Sequence, residues 1–544
     1  MAIPVIDLFA GPGGLGEGFS AVNDGAAFDI KLSIEKNPAA HQTLELRSFV
    51  HQFEHRDLPR AYYEMYEESN LAKRDLLKQK LFYQYPRQYE KAKNIAWRCT
   101  LGSPEFPPEI VNKRIAKALA GEKNWVLIGG PPCQAYSVVG RSRLQWKDNL
   151  DEKDHRVHLY KEYLRIIADH HPAVFVMENV RGILSSKLNG EVIFDKILRD
   201  LKNPGIIFKK RKAPRYKVFS LAKDPMVSDG RGNPYYEDYS DYLIKAENYG
   251  VPQNRHRVIL LGIREDISVS PKTLKKAENI VSLSEVIGDL PKIRSGINRS
   301  FVRSEMVDGM KKRFYRKETD SDNAWKILTN SLKNEIISWN GFAKDYSANG
   351  IEIPLQGRGS EFVPCETPLE TNPLFDWYHD PKLKGIANHE SRIHLVEDLK
   401  RYMFSSMFTK TYNRFPRLHE FETHSDVLLP DHENAKSGKF ADRFRVQVPD
   451  QPATTVTSHI SKDGHYFIHY DPNQCRSLTV REAARIQTFP DNYLFCGPRT
   501  AQYHQVGNAV PPLLANKIGK VVLDIFLQIT RKISEIEKLV DLQA

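Results

Sequence analysis

The ten residues Asp7-Leu8-Phe9-Ala10-Gly11-Pro12-Gly13-Gly14-Leu15-Gly16 restrict the possible folds more than any other stretch of this 544-residue chain. Ile3 to Phe9 is an apolar run of strand length, and Gly14 to Val22 reads as a helix. Ile30 to Glu35 is a second apolar run that ends in an acid. Strand, glycine-rich turn, helix and second strand, in that order, open a doubly wound sheet. Glycines let the backbone approach a ligand closely, and the following helix offers free N–H groups and the positive end of its dipole. Gly11, Gly13 and Gly16 satisfy G-x-G-x-x-G, and Glu35 lies about twenty residues on, where an acid can take ribose hydroxyls. This pattern alone suits an S-adenosylmethionine (AdoMet) site or a dinucleotide site equally.

Further along, Trp125 to Ile128 reads as a strand running into Gly129-Gly130-Pro131-Pro132-Cys133. Leu159 to Ala168 has helical periodicity, Ala173 to Met177 is a strand ending at Glu178-Asn179, and Val258 to Gly262 is another apolar strand. Between them, about 59–123 is rich in Tyr, Lys, Arg and Glu and is expected to be a helical insertion outside the sheet. From Asp266 to His469 periodicity is poor, and basic clusters with aromatics stand out, among them Lys311-Lys312-Arg313-Phe314-Tyr315-Arg316-Lys317. Strong helical signals return at Val480 to Gln487 and Pro512 to Ile529. The expected division is 1–265 for the sheet domain, 266–470 for a second, irregular domain, and 471–544 returning to the first.

Three segments at strand ends carry reactive groups. A lone cysteine is usually a small buried hydrophobe. Cys133, however, follows a strand at the edge where doubly wound sheets bind ligands, with a glycine pair and two prolines shaping its approach. A thiolate there is a good nucleophile if nearby positive charge lowers its pKa. Glu178 ends the next strand, and Arg255 and Arg257, spaced i, i+2 in Gln253-Asn254-Arg255-His256-Arg257, point to one side of an extended chain. The bland alternatives are a solvated loop carboxylate and a charged strand edge.

Composition sets the outer limits. The net charge of +11 suits a polyanionic partner, although many soluble proteins are mildly basic. Five cysteines without CxxC or zinc-ligand spacing argue against a disulfide scaffold or a structural metal. The N-terminal MAIPVIDLFAGPGG lacks a charged region followed by a long apolar run, so no secretory leader is expected, and no uninterrupted apolar stretch is long enough for a membrane helix. The expected location is cytoplasmic, nucleoid-associated in a prokaryote.

Taken together and in order, six segments resemble the cytosine-C5 DNA methyltransferase family, particularly its bacterial restriction–modification type. They are DLFAGPGG at Asp7 to Gly14, GGPPCQAYS at Gly129 to Ser137, ENV at Glu178 to Val180, QNRHR at Gln253 to Arg257, RSLTVREAARIQTFPD at Arg476 to Asp491, and QVGNAVPP at Gln505 to Pro512. The resemblance implies an α/β fold: a Rossmann-like AdoMet-dependent methyltransferase sheet with a second, irregular target recognition domain. It makes Cys133 the nucleophile that adds to C6 of a flipped-out cytosine, Glu178 the group that holds N3 and the amino edge, and Arg257 the contact to O2, with Arg255 orienting the cysteine loop.

For AdoMet it implies Phe9 against the adenine, Gly11, Pro12, Gly13 and Gly14 beneath the methionine part, and Glu35 on the ribose. Asp57-Leu58 is the expected reader of the adenine edge, with Pro132 and Leu159 lining the pocket and Asn508 and Val510 closing it from the far end of the chain. Arg141 and Arg143 are expected to close on DNA phosphates, and Thr454-Thr455 to fix the flipped nucleotide. No metal is expected. Double-stranded DNA is the expected partner, bound by a monomer, with a cognate restriction endonuclease encoded separately. An RNA (tRNA) cytosine-C5 methyltransferase of the same fold is the nearest alternative. A dehydrogenase leaves three of the motifs unexplained, and a silent DNA-binding relative leaves Cys133, Glu178 and Arg257 without a reason to be present.

Overall fold

A computed structural model describes residues 2–54, 57–132, 155–188, 191–210, 212–308, 310–339, 350–366, 368–429 and 442–541. The chain forms two units: 1–58, 85–280 and 509–544 make the first, and 59–84 with 281–508 make the second.

The first unit is built on an eight-stranded sheet. Its N-terminal part runs β1 (Ile3–Leu8), α1 (Gly14–Ser20), β2 (Phe28–Glu35) and α2 (Pro38–Val50). The chain leaves for the second unit through α3 (Arg60–Tyr66) and α4 (Leu71–Gln84). It re-enters with α5 (Pro86–Ile95), β3 (Ala96–Arg98), α6 (Pro108–Leu119) and β4 (Val126–Gly129). Then come α7 (His155–His170), β5 (Val174–Val180), α8 (Ile193–Lys202), β6 (Tyr216–Ser220), β7 (Leu243–Lys245) and β8 (His256–Arg264). The strand order is β7-β8-β5-β4-β1-β2-β3, with β6 also paired to β8. β1 pairs in parallel with β2 on one side and β4 on the other, so the winding reverses there and a crevice opens beyond their carboxyl ends. β8 runs antiparallel to β5. The inner strands are apolar on both faces because helices cover both. Val5, Val126 and Val174 point to one core cluster and Ile6, Leu127 and Phe175 to the other.

The C-terminal helix, Pro512–Asp541, packs on the face of Val5, Val126 and Val174. A Cβ on Gly18 would stand 2.3 Å from Pro512 O and 2.4 Å from the Ala515 side chain, so only glycine lets α1 and this helix touch. Asn516 Nδ2 donates to Gly18 O at 3.2 Å across the same contact. Residues 509–544 thus belong to the same unit as 1–58.

The insertion divides differently from its sequence reading. Residues 59–84 belong to the second unit, where Tyr62 and Tyr66 hydroxyls donate to the carbonyls of Asn492 and Asp491. Residues 85–123 belong to the first, and β3 is the edge strand of the central sheet. Three residues are too few to show alternation, which is why this strand was invisible in the sequence.

The second unit is less irregular than its sequence suggests. It contains a hairpin, β9 (Arg299–Val307) and β10 (Met310–Lys317), then α9 (Asp322–Ile337), β11 (Gly359–Pro364), β12 (Gly385–Glu390) and α10 (Val396–Tyr412). In α10 every residue from Arg401 to Thr409 is buried, so the helix has no polar face to generate a 3.6-residue signal. α11 (Val480–Ile486) and α12 (Arg499–Asn508) complete the unit.

The Arg476 to Asp491 motif forms its buried polar frame. Arg476 grips Glu482 with both terminal nitrogens at 2.7 and 2.6 Å, and Arg485 grips Asp491 at 2.9 and 2.7 Å and Asp289 at 2.5 Å. Thr479 caps α11, its hydroxyl accepting from Glu482 N at 3.1 Å. Buried charges persist only when paired and hydrogen-bonded in this way.

Candidate active site

Phe9 follows β1 with φ +58°, a left-handed conformation uncommon outside glycine. Gly11 and Gly13 also have positive φ, and Gly13 leads into α1. The turn closes through Gly13 N to Ala10 O at 2.9 Å, and Ala10 N donates to Ile34 O at 3.0 Å, tying it to β2. Glu35, the last residue of β2, accepts from Gly11 N at 2.8 Å and from Asn37 N at 2.6 Å. The sequence thus places Phe9, the glycine loop and Glu35 together, and the structure does the same.

Val510 joins them. A Cβ on Gly14 would stand 2.3 Å from Val510 O, so the chain end seals the floor of the loop. Gly11 has nothing within 4 Å of a would-be Cβ, leaving its outer side open. A carboxylate can accept further hydrogen bonds on its remaining lone pairs, so the Glu35 edge of this opening matches the hydroxyl donors of a ribose. Beneath the loop, Asp7 is fully buried, and burial followed by the charge of Glu35 pushes its pKa well up.

Glu178 is set by two strand registers. Gly129 of β4 pairs with Met177 of β5, and Glu178 faces Ile259 of β8. Arg257, two residues before Ile259 on the same face of its strand, brings Nε to 2.8 Å from Glu178 Oε1. The Nε–H is not aligned for a hydrogen bond, so this is a charge contact. Both side chains keep 14% exposure, enough to meet a ligand. A Cβ on Gly130 would stand 2.9 Å from Glu178 Oε2, so the carboxylate lies over Gly130. Arg255 is buried, its pKa pushed down by burial and by Arg257 and held up by Glu178. Its backbone is fixed by Arg255 N to Gln253 O at 2.8 Å and Ala246 N to Arg255 O at 3.1 Å.

The described chain reaches Pro131, buried, and Pro132, half-buried; Cys133, Arg141 and Arg143 lie outside the described residues. Leu159 is buried in the first turn of α7. Asp57 and Leu58 are described residues of the first unit. They follow the far end of α2, a 13-residue helix that begins just after Glu35 and spans about 20 Å. The neighbour of β2 is β3, and the chain leaving it bonds to Glu35 through Cys99 N and Glu35 O at 3.1 Å.

Within the second unit, Thr454 holds Gln447 Oε1 through its N–H at 2.9 Å and its hydroxyl at 3.0 Å, and Thr455 is half-buried. Asn508 is exposed at the end of α12, its Nδ2 3.1 Å from His504 Nδ1. A Cβ on Gly507 would stand 2.4 Å from the carbonyl of Thr457, so the glycine of the Gln505–Asn508 segment sets α12 directly against the chain after Thr455. Among the described residues no three His, Cys, Asp or Glu side chains are grouped to hold a metal ion, and no helix is long and apolar enough to cross a membrane.

The geometry therefore offers an acid held by an arginine over Gly130, and a glycine loop whose Gly11 amide is held by Glu35. Comparison with known proteins agrees. The family profile described as C-5 cytosine-specific DNA methylase matches residues 109–219 and 235–524. A type II methyltransferase of Bacillus paralicheniformis is 32% identical over 540 residues, covering 96% of this chain and 98% of that protein. A second type II methyltransferase, from Desulfomicrobium norvegicum, is 28% identical over 412 residues, covering 72% of this chain and 71% of its own. On these grounds the chain belongs to the C-5 cytosine-specific DNA methylase family.

Proposed function

We propose that this protein transfers a methyl group to C5 of a cytosine extruded from duplex DNA, with Cys133 as covalent nucleophile. The observation that carries the reading is the Glu178–Arg257 pair poised over Gly130, three residues before Cys133. Cytosine C5 is too weakly nucleophilic to react unaided. In the proposed step the Cys133 thiolate bonds to C6, and the C5–C6 π electrons are delivered to the ring. Glu178 holds a proton at N3, which takes up the negative charge, and Arg257 holds O2. C5, now enamine-like, bonds the incoming methyl carbon. The C5 proton then leaves to solvent, the C5–C6 double bond re-forms, and the C6–sulfur bond breaks to free Cys133. A base inside a duplex cannot present this face, so it must be flipped out.

AdoMet, when bound, supplies an electrophilic methyl group on a sulfonium. Phe9, Gly11, Pro12, Gly13, Gly14 and Glu35 would hold it, with Pro132, Leu159 and Val510 completing the pocket and Asp57-Leu58 proposed for the adenine edge. The second unit is the proposed target recognition domain, with Thr454 and Thr455 on the flipped nucleotide and Arg141 and Arg143 on the phosphates. The relatives named as type II methyltransferases support a modification role; a separately encoded restriction endonuclease and a cytoplasmic setting belong to the same proposal. Incubation with methyl-tritiated AdoMet, plasmid DNA and bulk tRNA tests the reading. Label in DNA that nuclease digestion returns as 5-methylcytosine is the expected result; label in tRNA alone would overturn it.

A further inference from the structure

The hairpin of β9 and β10 is unlike any other element of the second unit. No residue in either strand is buried, and among the described residues it forms a two-stranded sheet with no third strand. Nine residues at ~3.3 Å each make a ribbon about 30 Å long. An isolated hairpin is marginally stable in water, so a long exposed one needs a reason to persist. Its base is held: Phe301 N donates to Glu397 Oε1 at 2.7 Å and Ser300 Oγ to Glu318 Oε1 at 2.5 Å.

The register sorts its side chains, because cross-strand partners share a face and successive residues alternate. One face carries Lys311, Arg313, Tyr315 and Lys317, opposite Met306, Ser304, Phe301 and Arg299. The other carries Met310, Lys312, Phe314 and Arg316, opposite Val307, Glu305, Arg303 and Ser300. On the second face Arg303 pairs with Glu305 at 2.5 Å and Arg316 with Glu318 at 3.0 Å, so its charge is largely balanced. The first face carries four cations, Arg299, Lys311, Arg313 and Lys317. It also has an aromatic spine: Arg299 lies over Tyr315 at 4.1 Å, and Tyr315 meets Phe301 edge-on at 6.0 Å. Lysines on strand edges are a common guard against aggregation. That accounts neither for the segregation of charge to one face nor for Phe301, Met306 and Met310 standing exposed.

We infer that this ribbon is a duplex-DNA contact of the protein, laying its Arg299–Lys311–Arg313–Lys317 face along the phosphates. The inference rests on the DNA reading above. A two-stranded ribbon fits the major groove, and four cations over about 30 Å match the backbone of roughly eight to nine base pairs. Arginine stacked on tyrosine keeps its planar fork oriented for phosphate oxygens.

The test uses the full chain and a labelled mixed-sequence duplex of about 40 base pairs, titrated at several salt concentrations. One triple variant carries Lys311→Gln, Arg313→Gln and Lys317→Gln; the other carries Arg303→Gln, Lys312→Gln and Arg316→Gln. The first is expected to weaken binding about tenfold or more and to flatten the log K against log salt slope by roughly two to three. The second should change the slope by less than half as much, and thermal unfolding midpoints should match wild type for both. An unchanged slope in the first variant, or equal losses in the two, would overturn the inference. Failure of the DNA reading looks different: wild type would then leave no 5-methylcytosine in DNA, whatever the ribbon variants do.

Discussion

At the scale of single residues, the site depends on where two carboxylates are held. Glu178 is fixed by its register with Gly129 and Ile259 and by Arg257 at 2.8 Å, and it occupies space that any side chain at position 130 would fill. A carboxamide at 178 keeps the size but cannot hand a proton to N3. Glu178→Gln is therefore expected to slow methyl transfer by about 10²- to 10⁴-fold while leaving duplex affinity within a few-fold of wild type. Single-turnover rates with saturating DNA check it, and a rate within a factor of two would remove Glu178 from the chemistry. Glu178, Arg257, Phe9 and Glu35 were legible because each stands at a strand end whose pattern is plain in the sequence. What lies beside Glu35 was less legible, because helix length and strand order, which decide it, are not local properties.

At the scale of elements, α11 shows how a motif with no chemistry of its own supports one. Its cap, Thr479, also meets His389 Nδ1 at 2.9 Å, and His389 Nε2 reaches Pro291 O at 2.9 Å. Donation to a carbonyl and acceptance from a hydroxyl define a neutral imidazole. Burial, the largest influence, brings the pKa of His389 down to about 4, and that of His469 likewise to about 4. Between the ordinary value of 6.5 and 4 the unfolded chain takes up protons that the folded chain refuses, so stability is full above 6.5 and falls as pH drops toward 4. The urea midpoint of the second unit should be lower at pH 5 than at pH 7.5, with about 2 kcal/mol from His389 alone. The drop should shrink in His389→Gln; a midpoint that rises on acidification would contradict the assignment. None of this was legible, because a buried histidine and an exposed one look alike in sequence. α10 was missed for the related reason that burial on all sides erases periodicity.

At the scale of the whole molecule, the sheet unit is assembled from three separated stretches of chain and the second unit from two. Its opening and closing motifs were readable because glycines at 14 and 18 are demanded by close contact with Val510, Pro512 and Ala515, and such glycines survive as visible signatures. The composition changes at about 59, but the boundaries at 84/85 and 508/509 were not readable, since the chain changes units there within helical or connecting segments without a change in composition. The central claim is that this two-unit chain methylates DNA cytosine through Cys133. The most direct measurement is base-resolution mapping of 5-methylcytosine in the DNA of a host lacking cytosine methylation, after expression of wild type and of Cys133→Ala. Methylation confined to one short sequence with wild type, and absent with the variant, is the predicted result. Methylation that persists in Cys133→Ala would contradict the covalent mechanism, and its absence in both would contradict the DNA substrate.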